Sequence, residues 1–599
     1  MGVRGTTVDI LTKPTDAGEL DEFERVFPVQ VESKNIRRTL AGGWRKSFGL
    51  KGTGVTLDTP CAGMAFHQGR VFAISMTGSV YAFEPRDPSS VVEIGKIRGN
   101  TRPQMESYDD RLIVVGGGRP QYVRSDGVYT LGYFMESLTP PAPTVTRIGN
   151  YSGTPSHDGV DPMVVPTTTS GEHGIHHRQY VYAVRWISPV GGVGPMSSPS
   201  DPVESTGVGV HAAIRVELPT IRDRNVTGIQ VLRANAGDSQ WRVVHTELNS
   251  DMFVYIDTAA TPDLEVATFG NTYAGMPPDG AKYVAVIDDI ILLAGWDDIS
   301  FAWCTATEPD WWPSDNRLQV QNDGGRITGL LVFGRELYIF KTNNIEVWVH
   351  SGGPTSFQRR NVIERGCIAP ESILLADNEI YFLGNDGDYY VIQNGMPVIV
   401  SGVMTASLVA MEHKEEARAF EFRRERVIKL VYPKDKRCFV YDFLNKAWSE
   451  DARYFSGEWV GTVYDGHAES QGQGFACANS VIGVFEVDEK TYSVNTYRKV
   501  TVPLTGPYTH SGRVSRMRLR VKRGDDTPAR SPSLFVRWSF DRGEWSEPEY
   551  INLSGTDQDP YVDFFNLGYG KEMTVEFQEG SSTSLHISNA VINVVNLRT

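Results

Sequence analysis

Short strand–turn–strand units recur along this chain. They are GRVFAISMTGSVYAF (69–83), DDRLIVVGGGRPQYV (109–123), DDIILLAGW (288–296), GRELYIFKTNNIEVWV (334–349), NEIYFLGNDGDYYVI (378–392), RERVIKLVYPKDKRCFVYDF (424–443) and NSVIGVFEV (479–487). Most open on a polar pair and run into four or five β-branched or aromatic residues, the chemistry of a half-buried strand. Equivalent positions fall at steady steps: 40 residues from Phe72 to Leu112, 46 from Ile291 to Leu337, 43 on to Ile380 and 47 on to Val427. A four-stranded repeat of about 40–50 residues is the pattern of a propeller blade, which closes radially and hides its strand edges. The spacing predicts an all-β chain with a β-propeller of about six or seven blades. WD and kelch signatures are absent from it.

One stretch breaks the rhythm. TPPAPT (139–144) is an extended, proline-rich linker. After it come YVYAVRWISPVGGVGPMSSPSDPVE (180–204), VTGIQVLRANAG (226–237), QWRVVHTEL (240–248) and MFVYIDTAA (252–260). The first resembles the strands of fibronectin type III-like modules, so an inserted fibronectin/Ig-like β-sandwich is expected. Near the other end, RMRLRVKRG (516–524) alternates strictly, SLFVRWSFDRGEWSEPEYINL (533–553) is a hairpin around DRG, and MTVEF and AVINVV add strands. This reads as a C-terminal β-sandwich. The expected organisation is an N-terminal arm (1–60), first blades (61–138), inserted sandwich (139–278), remaining blades (279–500) and C-terminal sandwich (501–599). Helix signals are few. EFERVFPV (22–29) is cut by Pro28, and TASLVAMEHKEEARAF (405–420) is the best helix candidate.

The chain has 599 residues, 59 of them Gly and 33 Pro, and a net charge of −15. That acidity argues against generic nucleic-acid binding, which draws its affinity from Lys and Arg. The longest apolar run, YVAVIDDIILLAGW (283–296), is interrupted by Asp288 and Asp289 and is too short to span a bilayer. The opening residues lack the apolar core of a signal peptide. Cys61, Cys304, Cys367, Cys438 and Cys477 show no CxxC spacing, so buried reduced thiols in a reducing cytoplasm are expected.

Candidate chemistry is sparse. GNDGD (384–388) does not fit a calcium loop, because Gly follows Asp386 at once and no Glu closes it. Asp386–Gly387 instead suits a hairpin turn, with Gly387 taking positive φ. SFDRGEWSEP (539–548) is close to the Asp-box of sialidase-type propellers, itself a structural turn, which makes Asp541 and Gly543 turn residues. GEHGIHHRQY groups His173, His176 and His177 in a Gly-rich loop without a fourth ligand at a familiar spacing. Trp311 and Trp312 in EPDWWPSDN are candidates for a carbohydrate platform, for blade packing or for an interface, with packing favoured. On a strand, Arg516, Arg518, Arg520 and Lys522 share one face and Met517, Leu519 and Val521 the other. That face is either solvated or a candidate interface or DNA-facing basic strip. No motif for catalysis, a metal or a cofactor appears in a supporting context.

Several blocks together resemble one family. GRELYIFKTNNIEVWVHSGGPTSFQRRNVIERGCIAPESILLADNEIYFLGNDGDYYVIQNG (334–395), with EVWVHSG after a LYIF strand and then VIERGCIAPESI, is similar to the tail hub proteins of short-tailed bacteriophages. These are also called nozzle or packaged-DNA stabilisation proteins. RCFVYDFLNKAWSED (437–451), TRPQMESYDDRLIVVGGG and RWSFDRGEWSEP fit the same family. The resemblance implies a non-enzymatic structural virion protein, assembled in the bacterial cytoplasm into a homo-hexameric ring of the tail. It implies contacts with the adaptor under the portal, with a tail needle or tip and with fibres or spikes. It also implies transient passage of double-stranded DNA through the ring, whose acidic wall would repel it. The alternative is a propeller surface protein that binds or cleaves carbohydrate.

Overall fold

The computed structural model describes residues 5–9, 30–38, 44–47, 49–99, 102–132, 139–148, 178–188, 192–204, 213–220, 226–248, 254–257, 264–267, 275–306, 308–321, 324–351, 357–455, 458–470, 473–485, 496–504, 511–522, 533–553, 561–580 and 585–597. The candidate helix at 22–29 and His173, His176 and His177 lie outside them.

Seven blades form the body. Six are separate four-stranded sheets, and the seventh is the leading four strands of a nine-stranded sheet. In chain order they span 61–96, 104–130, 283–319, 327–363, 374–399 and 418–450, with the last made of 466–485 plus Leu50–Thr56. The strand Leu50–Thr56 is the outermost of blade 7, so an early segment completes the last blade and closes the ring. Opening strands of successive blades are neighbours from blade 1 to blade 6, and that of blade 7 lies beside that of blade 1, which places these strands around the axis.

The polar pairs that open the sequence units are the turns between the inner and second strands. Gln68–Gly69, Asp288–Asp289 and Asp377–Asn378 all have positive φ at both positions. That conformation matches the twist of antiparallel strands, and Gly, Asn and Asp reach it at least cost. The apolar runs that follow are buried on both faces because each blade is sandwiched by two others. Ile290–Ala294, for example, is buried throughout.

Helix content is smaller than the sequence predicts. Only Thr405–Val409 is α-helical within 405–420, a 3-10 turn follows at Lys414–Glu416, and Arg418–Phe422 is the inner strand of blade 6. Pairing of Arg418–Phe422 with Val427–Tyr432 overrides the helix-forming composition.

Between blades 2 and 3 the chain leaves the ring and forms a two-sheet sandwich. One sheet is 144–148, 213–217 and 254–257; the other orders 203–204, 179–187, 228–235, 242–247 and 265–266. Tyr182, Val184, Trp186, Val216, Val231 and Tyr255 fill the space between them. Arg233 is buried there and donates to Asp257 at 2.6 Å, and the Tyr182 hydroxyl donates to the same carboxylate at 2.7 Å.

The C-terminal strands form a second sandwich that the segment 1–60 helps to build. Gln30–Lys34 lies between Thr496–Pro503 and the outer strand of blade 6, which it meets at the single pair Lys34–Glu450. Ile36–Arg38, Trp44–Lys46 and Gly5–Asp9 join the opposite sheet. Among the described residues, 1–60 therefore forms no unit of its own. Its strands complete blade 7 and both sheets of the C-terminal sandwich.

Gly366, in the RGC turn, shows why that turn needs a glycine. A Cβ there would lie 2.0 Å from the Thr342 carbonyl oxygen and 2.4 Å from the Asn343 nitrogen, both backbone atoms of blade 4. Gly366→Ala is expected to cost about 2–3 kcal/mol, read as a lowered midpoint in thermal unfolding. An unchanged midpoint would show that the two blades can separate there without loss.

Candidate functional site

One end of the propeller axis is crossed by charges. Arg102 leads into blade 2, Glu371 into blade 5 and Asp465 into blade 7, while Arg418 begins blade 6. Arg102 Nε lies 3.2 Å from Glu371 Oε1, Arg418 Nε 3.1 Å from Glu371 Oε2, and Arg418 donates to Asp465 Oδ1 at 3.1 Å. Arg102 also donates to the Cys61 carbonyl of blade 1 and to the Asp465 carbonyl. Blades 2 and 5 stand on opposite sides of a seven-membered ring, so this network spans the bore. Burial and the neighbouring Arg102 lower the Arg418 pKa from its ordinary value, against the pull of Glu371 and Asp465. Further along the axis, Glu106 on the inner strand of blade 2 stays open to water, yet burial pushes its carboxyl up to about 7.

The basic strip lies on the outer face of the C-terminal sandwich. Met517, Leu519 and Val521 are fully buried, and Arg516, Arg518 and Arg520 face outward, as the alternation requires. Lys522 ends the same strand, its backbone opposite His586. The strip is not bare. Arg516 and Arg518 each make two hydrogen bonds to Asp563, between 2.6 and 3.0 Å. The guanidiniums of Arg518 and Arg520 lie 5.0 and 5.4 Å from the Tyr561 ring, and that of Arg516 lies 5.6 Å from Phe565. Tyr561, Phe565 and Tyr569 are more than half exposed on the neighbouring strand. Two of the cations thus share one carboxylate, and the face is an arginine–aromatic surface and not a simple track for phosphates. The sequence could not show Asp563 as their partner, because the pairing depends on cross-strand register 45 to 47 residues away.

The tryptophan pair divides. Trp312 is buried in the core between blades 2, 3 and 4 and donates to the Pro309 carbonyl. Trp311 is 41% exposed and lies against Gly275. Beside them is a cleft of about 230 Å³ lined by Met276, Trp312, Asn316 and Arg317, among others.

The turn carboxylates are occupied by their own fold. Asp386 accepts from Arg365 at 2.9 Å and from the Tyr390 hydroxyl at 2.6 Å, and Asp388 accepts from Ser401 and Thr405. Gly387 has φ of +91°. In the Asp-box-like turn the positive φ falls on Asp541 and Arg542, and Asp541 Oδ1 accepts the amides of Lys571 and Glu572. Gly543 donates its amide to the Phe540 carbonyl.

Among the described residues, one trio has potential metal ligands within 4.8 Å of one another: Glu412, His413 and Asp435. Sequence spacing did not single it out, since Asp435 comes from the next hairpin. Its carboxylate already accepts the backbone amides of Glu412 and His413 at 3.2 Å, so it serves as a turn anchor.

No family model matches this sequence, and no curated protein sequence does. Solved structures that align with it include BamB from Moraxella catarrhalis, at 8% identity, covering 78% of this chain and all of that one, with a TM-score of 0.31. YCF48 from Cyanidioschyzon merolae aligns at 9% identity over 73% of this chain and 98% of its own, TM-score 0.26. An exo-β-1,3-galactanase from Phanerochaete chrysosporium aligns at 11% over 54% and 97%, TM-score 0.21. Scores this low carry no argument about what this chain does.

Proposed function

We propose that this chain is a non-enzymatic structural protein of a short-tailed phage. Six copies would form the hub or nozzle ring of the tail, which retains packaged DNA and forms part of its exit path. The supporting observation is the order and spacing of the family-like segments. GRELYIF and EVWVHSG occupy adjacent strands of blade 4, VIERGC links blade 4 to blade 5, NEIYFLGNDGDYYVI builds blade 5, and RCFVYDF lies in blade 6. They are contiguous in space and not scattered. The charges across the axial bore add a constraint on the reading: DNA would run between copies and not through one propeller. In this reading the arginine–aromatic face meets a neighbouring subunit, the adaptor, or the needle and fibre proteins.

Size-exclusion chromatography and negative-stain images of the purified chain, with and without the adaptor, test the proposal. A six-fold ring is the expected result. A monomer that cleaves or binds host polysaccharide would overturn it. That second outcome matches the other reading, a carbohydrate-directed propeller, which rests on half-exposed Trp311 beside the cleft at Asn316 and Arg317.

A further inference from the structure

The ring closes where blade 7 meets blade 1, and two cysteines meet at that seam. Cys61 is the opening residue of the inner strand of blade 1, five positions after the end of the closing strand Leu50–Thr56. Cys477 is in the second strand of blade 7. Both are fully buried and free. The Asn479 carbonyl accepts the Cys61 amide at 2.8 Å and the Cys477 thiol at 3.2 Å. Gly466 is the ladder partner of Cys477, and a Cβ on it would lie 3.0 Å from Cys61 Sγ. The Cys61 sulfur therefore sits over the position that Gly466 leaves open, facing Cys477 across the seam. The remaining thiols lie elsewhere: Cys304 in blade 3, Cys367 between blades 4 and 5, and Cys438 in blade 6.

We propose that Cys61 and Cys477 are an oxidisable pair whose disulfide staples the last blade to the opening blade. A small-molecule disulfide such as oxidised glutathione is the oxidant. One cysteine thiolate attacks it and releases one small thiol, forming a mixed disulfide. The second cysteine thiolate then displaces the other small thiol. The protein loses two electrons and two protons, one S–S bond forms in it, and the small disulfide is reduced to two thiols. Contact with Cys61 and then burial raise the Cys477 thiol above the usual range, and both sulfurs are closed off from an external oxidant in the closed ring, so the pair reacts when the seam opens. In reducing surroundings it remains a dithiol. The bond closes a loop of most of the chain, the case in which a cross-link restrains the unfolded state most.

The test is incubation of the full-length reduced protein with oxidised glutathione a few degrees below its unfolding temperature. Proteolysis and mass spectrometry then read the linkage. The expected product is a Cys61–Cys477 peptide, with an unfolding midpoint about 3–6 °C above that of the reduced protein, returned to its starting value by dithiothreitol. Cys477→Ser, and separately Cys61→Ser, should give neither the peptide nor the rise. Glutathione adducts or other pairings without the Cys61–Cys477 peptide would overturn the proposal. So would persistence of both thiols, or a linked protein that melts no higher than the reduced one.

Discussion

Replacing Asp451 by alanine is expected to lower the unfolding free energy by about 3–5 kcal/mol, the effect of stranding a buried charge. Asp451 lies where blades 6 and 7 meet the C-terminal sandwich. Its carboxylate receives Lys429, which is fully buried and has the rings of Phe422, Tyr464 and Phe485 within 4.8 Å. Arg37, from the early segment, pairs with Glu425 in the same cluster. With Asp451 gone, Lys429 loses its carboxylate partner, and among the described residues the Tyr464 hydroxyl at 3.4 Å is the hydrogen-bond partner left to it in an apolar cage. Burial alone raises the Asp451 carboxyl, but Lys429 and Arg37 outweigh it and hold the pKa below 3.8. A carboxyl depressed in the folded state contributes stability above its unfolded pKa and loses it as pH falls through the folded value. The gap between wild type and Asp451→Asn should therefore be full at neutral pH and shrink below pH of about 4. Denaturant unfolding across that range reads both effects. A loss under about 1 kcal/mol at pH 7 would mean that water reaches the cluster.

Phe301→Ala is expected to cost about 3–5 kcal/mol through the cavity it leaves. Phe301 is fully buried in the third strand of blade 3. Its ring centroid lies 5.4 Å from Trp348 and 5.8 Å from both Trp303 and Phe357. Trp348 and Phe357 belong to blade 4, so the ring joins two blades and supports edge-to-face pairs with both of them. Phe301→Leu fills most of that space and should cost about 1–1.5 kcal/mol. Tryptophan emission, to which Trp303 and Trp348 contribute among the chain's twelve, gives a second readout beside global unfolding. Equal midpoints for the alanine and leucine variants would show that the interface collapses freely around the gap.

Much of the propeller was legible because its strands are local. Turn pairs such as Asp288–Asp289 and the apolar runs after them carry their chemistry within a few residues, so their period could be counted. The long-range pairings could not. Nothing in LKGTGVT (50–56) announces that it completes a blade with residues 481–485, and nothing in NIRR shows Arg37 reaching Glu425. The helix predicted at 405–420 is cut short at Val409 for the same reason, since the partner strand decides the fate of Arg418–Phe422. Of the candidate surfaces, the alternation of Arg516, Arg518 and Arg520 was readable from spacing. Their shared Asp563 was not, and neither was the axial group of Arg102, Glu371, Arg418 and Asp465, whose members come from four different blades.

The placement of Leu50–Thr56 also governs when this protein can finish folding. Thr53 and Ile482, which hydrogen-bond across the closing pair, are separated by 429 positions. At about 5–20 residues per second, the ribosome takes roughly 20–90 s to supply the missing side of blade 7. During that interval the early strand has no ladder, and blade 1 exposes the face that blade 7 will cover. The inserted sandwich, whose strands pair among themselves, can fold midway, but the ring and the C-terminal sandwich must await late strands. Translation speed, and any holdase that occupies 50–56 in the meantime, thereby become determinants of yield for a chain whose finished form pairs that strand with Val481–Phe485.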